Sequence, residues 1–218
     1  MLLFIRTEGF VHPSIPTAVA ALGEELDSRG LDSTATDDPA TFTDSYLGSF
    51  DVVVFLSTTG DVLDAPQQDA LERFVRGGGG WVGVHAALDT EYGWPFYAEL
   101  AGARFAQHPA VQPATVRLED STHPATVGAP ETWLRTDEWY DTTPNPRSSS
   151  HVLATVDEAT YSGATMGGDH PIAWCHPVGD GQAFVTAMGH TEESWDDPVF
   201  VDHVVGGIES TTEPDTCP

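Results

Sequence analysis

The side chains best able to do chemistry in this chain are imidazoles and carboxylates. Nine histidines and 34 acidic residues stand against eight basic residues, all of them arginine. An imidazole changes charge near neutral pH and serves as general base, general acid or metal ligand. His85 holds the most telling position. It closes the apolar run Trp81–Val84 and is followed by Ala86 and Ala87. That strand–small–small pattern is where doubly wound hydrolases seat a nucleophile. With histidine there, the chemistry is proton transfer or metal ligation. Residues 137–140, Asp-Glu-Trp-Tyr, place acids beside aromatics. A carboxylate held against such rings has its pKa raised, which suits acid–base work. Aromatic faces also stack on sugar rings. Five histidines, His12, His108, His123, His170 and His176, precede proline, which favours extended backbone and fixed loop walls. Each of these features also has a bland reading, as a hydrogen-bonded turn or a strand alternating between core and surface.

Several chemistries lack their signatures. There is no H-E-x-x-H, C-x-x-C, G-x-G-x-x-G, Walker or G-x-S-x-G sequence. Gly77–Gly80 precedes a strand, the wrong side for cradling phosphate. Cys175 lies in an apolar run and Cys217 is next to last. That is neither a disulfide framework nor a zinc motif, so reduced thiols are expected. A divalent metal held by histidines and a carboxylate from distant loops stays open, with His85, Glu138 and His190 as its ligands.

The elements that must position these groups alternate. Leu2–Ile5, Val52–Leu56 and Trp81–Val84 read as buried strands, and residues 31–36 as an edge strand. A helix follows Ser14, with Ile15, Val19, Leu22 and Leu26 at helical spacing and Gly30 as its end. A short helix is expected around Phe42–Leu47. Asp64 with Gln67 forms a capping box for a helix that Gly77–Gly80 stops. A positive φ at Gly77 would make that glycine a requirement of folding. Strands follow around Val116–Leu118, Trp133–Tyr140, Val152–Val156, Ile172–Cys175 and Ala183–Met188, with a last helix through Val201–Ile208. Strand–helix alternation with short links predicts an α/β fold, a doubly wound parallel sheet covered on both faces. The expected domain is residues 1–210, with a flexible tail over 211–218.

In such a sheet, ligands bind beyond the carboxyl ends of the strands. The residues that follow those ends include Arg6, His12, Thr58, Thr59, His85, Asp89 and His190. The predicted centre is therefore His85, Glu138 and His190. Arg6, His12, Thr58, Thr59, Asp89, His108, Tyr140, His170 and Trp174 form its substrate-binding wall.

The formal net charge is −26. A surface this acidic repels phosphate backbones and anionic lipid, so neither nucleic acid nor membrane is an expected partner. The absence of lysine resembles the proteome style of salt-in halophiles, in which molar salt screens self-repulsion. The N-terminus lacks the basic and long apolar regions of a signal peptide, and no run approaches a membrane span. A cytoplasmic protein is expected, with a homo-oligomer left open.

Six ordered blocks then carry a resemblance: RTEGFVHPSIP (6–16), GGWVGVHAA (79–87), FAQHP (105–109), DEWY (137–140), HPIAW (170–174) and GHTEESW (189–195). Together they resemble the ThuA-like family, named for trehalose utilisation, over nearly the whole chain. The resemblance implies a flavodoxin-like, class I glutamine-amidotransferase-like fold, mostly parallel, in which His85 replaces the amidotransferase cysteine. It implies a role in carbohydrate metabolism on trehalose-type or 3-keto glycosides rather than glutamine hydrolysis. The alternative is a non-catalytic sugar-binding or accessory domain on the same fold.

Overall fold

Apolar runs without alternation become the interior strands. In the computed structural model, which describes residues 1–213, 216 and 217, the elements follow in chain order. They are β1 (Leu2–Phe4), α1 (Ile15–Ser28), β2 (Thr34–Thr36), α2 (Asp44–Leu47), β3 (Val52–Leu56), α3 (Ala65–Arg76), β4 (Gly80–Val84) and α4 (Pro95–Ala101). Then come β5 (Arg104–Gln107), β6 (Gln112–Leu118), β7 (Thr132–Asp137), β8 (Asp141–Thr143), β9 (His151–Val156), β10 (Pro171–Val178), β11 (Gly181–Thr186), α5 (Glu192–Trp195) and α6 (Pro198–Ser210). Among the described residues, a nine-stranded sheet runs in the order β2-β1-β3-β4-β11-β10-β9-β6-β7, with β5 and β8 paired apart. β2, β1, β3, β4 and β11 are parallel; β10, β9, β6 and β7 continue the sheet antiparallel. The result is the expected α/β architecture with a mixed, mostly parallel sheet.

β3 and β4 are buried along their whole length because helices cover both sides. Gly181 and Phe184 on β11 point to opposite faces, being three residues apart in a period of two. Val75 of α3 meets Gly181, and Gly207 of α6 lies against the Phe184 ring. A Cβ on Gly207 would fall 2.2 Å from that ring, so the helix can approach this closely only without a side chain. The Asp64–Gln67 capping box forms as expected. The turn into β4 differs in detail: Gly78 has φ +107°, while Gly77 is at −90°. The left-handed residue thus comes one position later, where the chain reverses.

Some sequence expectations ran too long. The edge strand begins only at Thr34, and β7 stops at Asp137, freeing Glu138–Tyr140 to form a loop. The reduced thiols are also corrected. Cys175 on β10 and Cys217 form a disulfide, with Cα atoms 5.7 Å apart and a sequence separation of 42. Of the tail expected over 211–218, Thr211 and Cys217 are buried; residues 214, 215 and 218 lie outside the described residues. Among the described residues, no helix is long and apolar enough to cross a membrane.

Register fixes where the functional loops emerge. Leu56 pairs with Val84, and Val84 with Thr186. Ser57, His85 and Ala187 therefore leave the sheet side by side at one rim.

Candidate functional site at the carboxyl rim

His85 leaves β4 at φ +50°, and Ser57 beside it leaves β3 at +51°. Left-handed backbone is uncommon for side chains other than glycine and is held only where the surroundings enforce it. The sharp turn puts the His85 ring under the rim, fully buried. Its Nδ1 lies 3.0 Å from the Ala187 carbonyl oxygen. A carbonyl only accepts, so Nδ1 carries the proton and Nε2 keeps a lone pair. That Nε2 lies 3.1 Å from His190 Nδ1 and 3.6 Å from Glu138 Oε2. His190 Nδ1 is in turn 3.1 Å from Glu138 Oε2. Desolvation holds the His85 pKa well below its usual value. The hydrogen bond to Glu138 raises that of His190.

Glu138 arrives from β7, four strands away from β11 in the sheet order. Asp137 closes the gap. Its buried carboxylate accepts from the backbone N–H groups of Gly189 (2.9 Å), His190 (3.0 Å) and Glu138 (2.9 Å), and from Ser194 Oγ (3.2 Å). Arg135 lies 3.7 Å from it and pairs with Asp197 at 2.7 Å. One carboxylate therefore fixes both loops that deliver the centre.

His12 completes the cluster. It is buried, and desolvation pushes its pKa down to about 4. Its ring centroid is 4.8 Å from that of His85 and 5.1 Å from that of His190. His12, His85, Glu138 and His190 each offer a ligand atom, all within 4.8 Å of one another, and could hold a metal ion.

These groups open on a cavity of about 400 Å³ lined by Phe10, His12, Asp89, Phe105, His108, Glu138, Tyr140 and His190. Tyr140 lies over His85 with centroids 4.3 Å apart, and His108 Nδ1 is 2.9 Å from Glu138 Oε1. A larger cleft of about 530 Å³ includes Arg73, Phe74 and Gly77–Gly79. It opens at the amino end of β4, away from this chemistry. Convergent polar groups, not size, identify the site.

The structure thus brings together His85, Glu138, His190, His12, Asp89, His108 and Tyr140. It does not place five other expected wall residues on the cavity. Arg6 pairs with Glu8. Thr58 bonds Thr90, Oγ1 to Oγ1, at 2.9 Å. Thr59 Oγ1 donates to the Phe10 carbonyl at 2.8 Å, shaping the loop that carries His12. His170 Nε2 donates to the Tyr140 carbonyl at 2.8 Å, bracing Tyr140 from behind. Trp174 is buried in the core, its Nε1 donating to the Ala101 carbonyl at 3.0 Å. Phe10 and Phe105 line the cavity without having been expected. Their signal was that each shares a block of the family resemblance with a site histidine, His12 or His108.

A sequence model of the ThuA family, described as trehalose utilisation, matches residues 1–210. The chain belongs to the ThuA family. No curated protein matches it in sequence. Among solved structures, it is similar to a ThuA-like protein of Bacteroides uniformis, with 22% identity and a TM-score of 0.78, covering 95% of this chain and 89% of that one. A ThuA-like protein of Parabacteroides merdae aligns at 18% identity and a TM-score of 0.79, covering 97% and 90%. A β-galactosidase of Rahnella sp. R3 contains the same fold in 31% of its length, at 14% identity, 98% coverage of this chain and a TM-score of 0.61. In this ThuA chain the elbow after β4 holds His85, so the position lacks a thiol nucleophile.

Proposed function

We propose that this ThuA-family protein acts on a keto-glycoside bound in the His85–Glu138–His190 cavity, by proton transfer at the carbon beside the ketone. The family's association with trehalose utilisation points to carbohydrate metabolism. The observation that carries the finer reading is the triangle of His85 Nε2, His190 Nδ1 and Glu138 Oε2, with sides of 3.1, 3.1 and 3.6 Å, at the floor of the cavity. A ketone acidifies the neighbouring C–H. Glu138 takes that proton, and the C–H electron pair becomes a C=C bond. The C–O bond to the leaving sugar breaks, and its oxygen takes a proton from the His190 side. Neutral His85 accepts from His190 and fixes its orientation. Phe10, Phe105 and Tyr140 offer faces for ring stacking, and a cavity of about 400 Å³ suits a small ligand. The acidic surface favours an uncharged sugar over nucleic acid or anionic lipid.

The test is turnover of 3-keto-glucosides in molar salt. Glu138→Gln should lower kcat by roughly 10²- to 10⁴-fold while the variant stays folded, the range for loss of one acid–base group. Sugar binding by calorimetry without any turnover would replace this reading with that of a binding module.

A further inference from the structure

We infer that His12, His85, His190 and Glu138 form a binding site for one divalent transition-metal cation of the zinc type. The inference deepens the reading of this cavity as a reaction centre. Its first support is ring geometry. The three imidazole centroids lie 4.8, 5.1 and 5.1 Å apart, with interplanar angles of 89°, 88° and 74°. Three imidazoles on one tetrahedral cation, with metal–nitrogen bonds of about 2.0–2.1 Å, place their centroids about 5 Å apart.

The donor atoms agree independently. The edge of a tetrahedron drawn around a cation at such bond lengths is about 3.3 Å. His85 Nε2, His190 Nδ1 and Glu138 Oε2 are separated by 3.1, 3.1 and 3.6 Å.

Proton counting gives the third support. His85 donates Nδ1–H to the Ala187 carbonyl, as metal-bound histidines characteristically do, and so points a lone pair at the others. Glu138 Oε2 is also an acceptor. His190 Nδ1 carries at most one hydrogen for these two neighbours. His12, 3% exposed, has a buried Nδ1 with no hydrogen-bond partner among the described residues. One hydrogen at His190 Nδ1 thus faces two acceptors, and a cation resolves the deficit. A set of three imidazoles and one carboxylate suits zinc and its first-row neighbours. Bound there by all four side chains, the cation would polarise a sugar oxygen only by taking it as a fifth ligand. Glu138 Oε1, 2.9 Å from His108 Nδ1, and the Nε2–H of His190 remain for proton transfer.

The experiment is Co²⁺ titration of chelator-stripped protein in molar salt, without sugar, read by visible absorption and calorimetry. The expected result is one Co²⁺ per chain with the intense absorption of a tetrahedral nitrogen-rich site, displaced by Zn²⁺. Affinity should drop roughly a hundredfold in His190→Ala and in His12→Ala, and stay unchanged in His151→Ala, whose imidazole instead meets Asp120 at 2.9 Å. Circular dichroism checks folding, and His85→Asn, which tolerates the left-handed turn, supplies a further ligand deletion. Weak multiple binding with octahedral Co²⁺ spectra, unaltered in these variants, would mean cations on the acidic surface and overturn the inference. Because no sugar is present, that failure leaves proton transfer standing. Tight Co²⁺ binding without keto-sugar turnover would instead sustain the metal site and remove the functional reading.

Discussion

At the scale of single residues, the centre depends on a side chain that would never touch a ligand. Asp137 is fully buried and accepts four hydrogen bonds from the loops that present Glu138 and His190. Removing it leaves buried N–H groups and a nearly buried guanidinium short of a partner. Asp137→Ala should therefore destabilise the fold by about 3–5 kcal/mol, measured by denaturant unfolding in molar salt. Asp137→Asn keeps the shape and loses the charge. It should unfold at a smaller penalty and shift the His190 imidazole resonances. Unmoved resonances would remove its positioning role. This residue was legible only as part of an acid–aromatic block, because sequence cannot tell a structural anchor from the cavity-lining acid beside it.

At the scale of elements, α6 carries a titratable group into the core. His203 is buried, its Nδ1 donates to the Ala125 carbonyl at 2.7 Å, and burial pushes its pKa down from 6.5 to about 4. The unfolded chain takes up this proton near pH 6.5 and the folded chain only near pH 4. Stability from this site is thus complete above pH 6.5, falls as pH drops towards 4, and levels off below. The difference amounts to about 3 kcal/mol. His123, also pushed down to about 4, acts in the same direction. His203→Asn should flatten the acid limb of the stability curve, as followed by urea midpoints at a series of pH values. The same helix meets β11 through Gly207. Gly207→Ala drives a methyl into the Phe184 ring and should cost about 1–3 kcal/mol.

At the scale of the whole molecule, two terms act across the chain. The first is the Cys175–Cys217 bond, which closes a 42-residue separation. Cys217→Ser should lower stability by about 4 kcal/mol on the chain-entropy account. Thiol titration of the unreduced native protein should find both cysteines blocked. The second is charge. At −26, self-repulsion opposes the compact state unless salt shortens the Debye length, from about 10 Å at 0.1 M to about 3 Å at 1 M. Exposed arginine pairs such as Arg73–Asp44 offset little of it. The melting temperature should rise steeply with salt. A flat response between about 0.1 M and 3 M would refute adaptation to high salt.

What the sequence determined by itself follows from local rules. Apolar runs set the strands, the Asp64–Gln67 pair set a helix start, and strand–helix alternation set a sheet with the candidate site expected at its carboxyl rim. His85 and His190 were readable because rim position and residue type coincided, and Glu138 because it lies in an acid–aromatic block. The tertiary structure alone decided which way neighbouring side chains point. Thr58 and Thr59 follow a rim strand yet turn to brace loops, and Trp174 fills the core. It also decided the long-range meetings: Asp137 with the loop after β11, Cys175 with Cys217, and His12 with two other imidazoles. The first of these depends on how the antiparallel strands bring the end of β7 back to β11. No spacing along the chain encodes that curvature, because it emerges from packing both faces of the sheet at once.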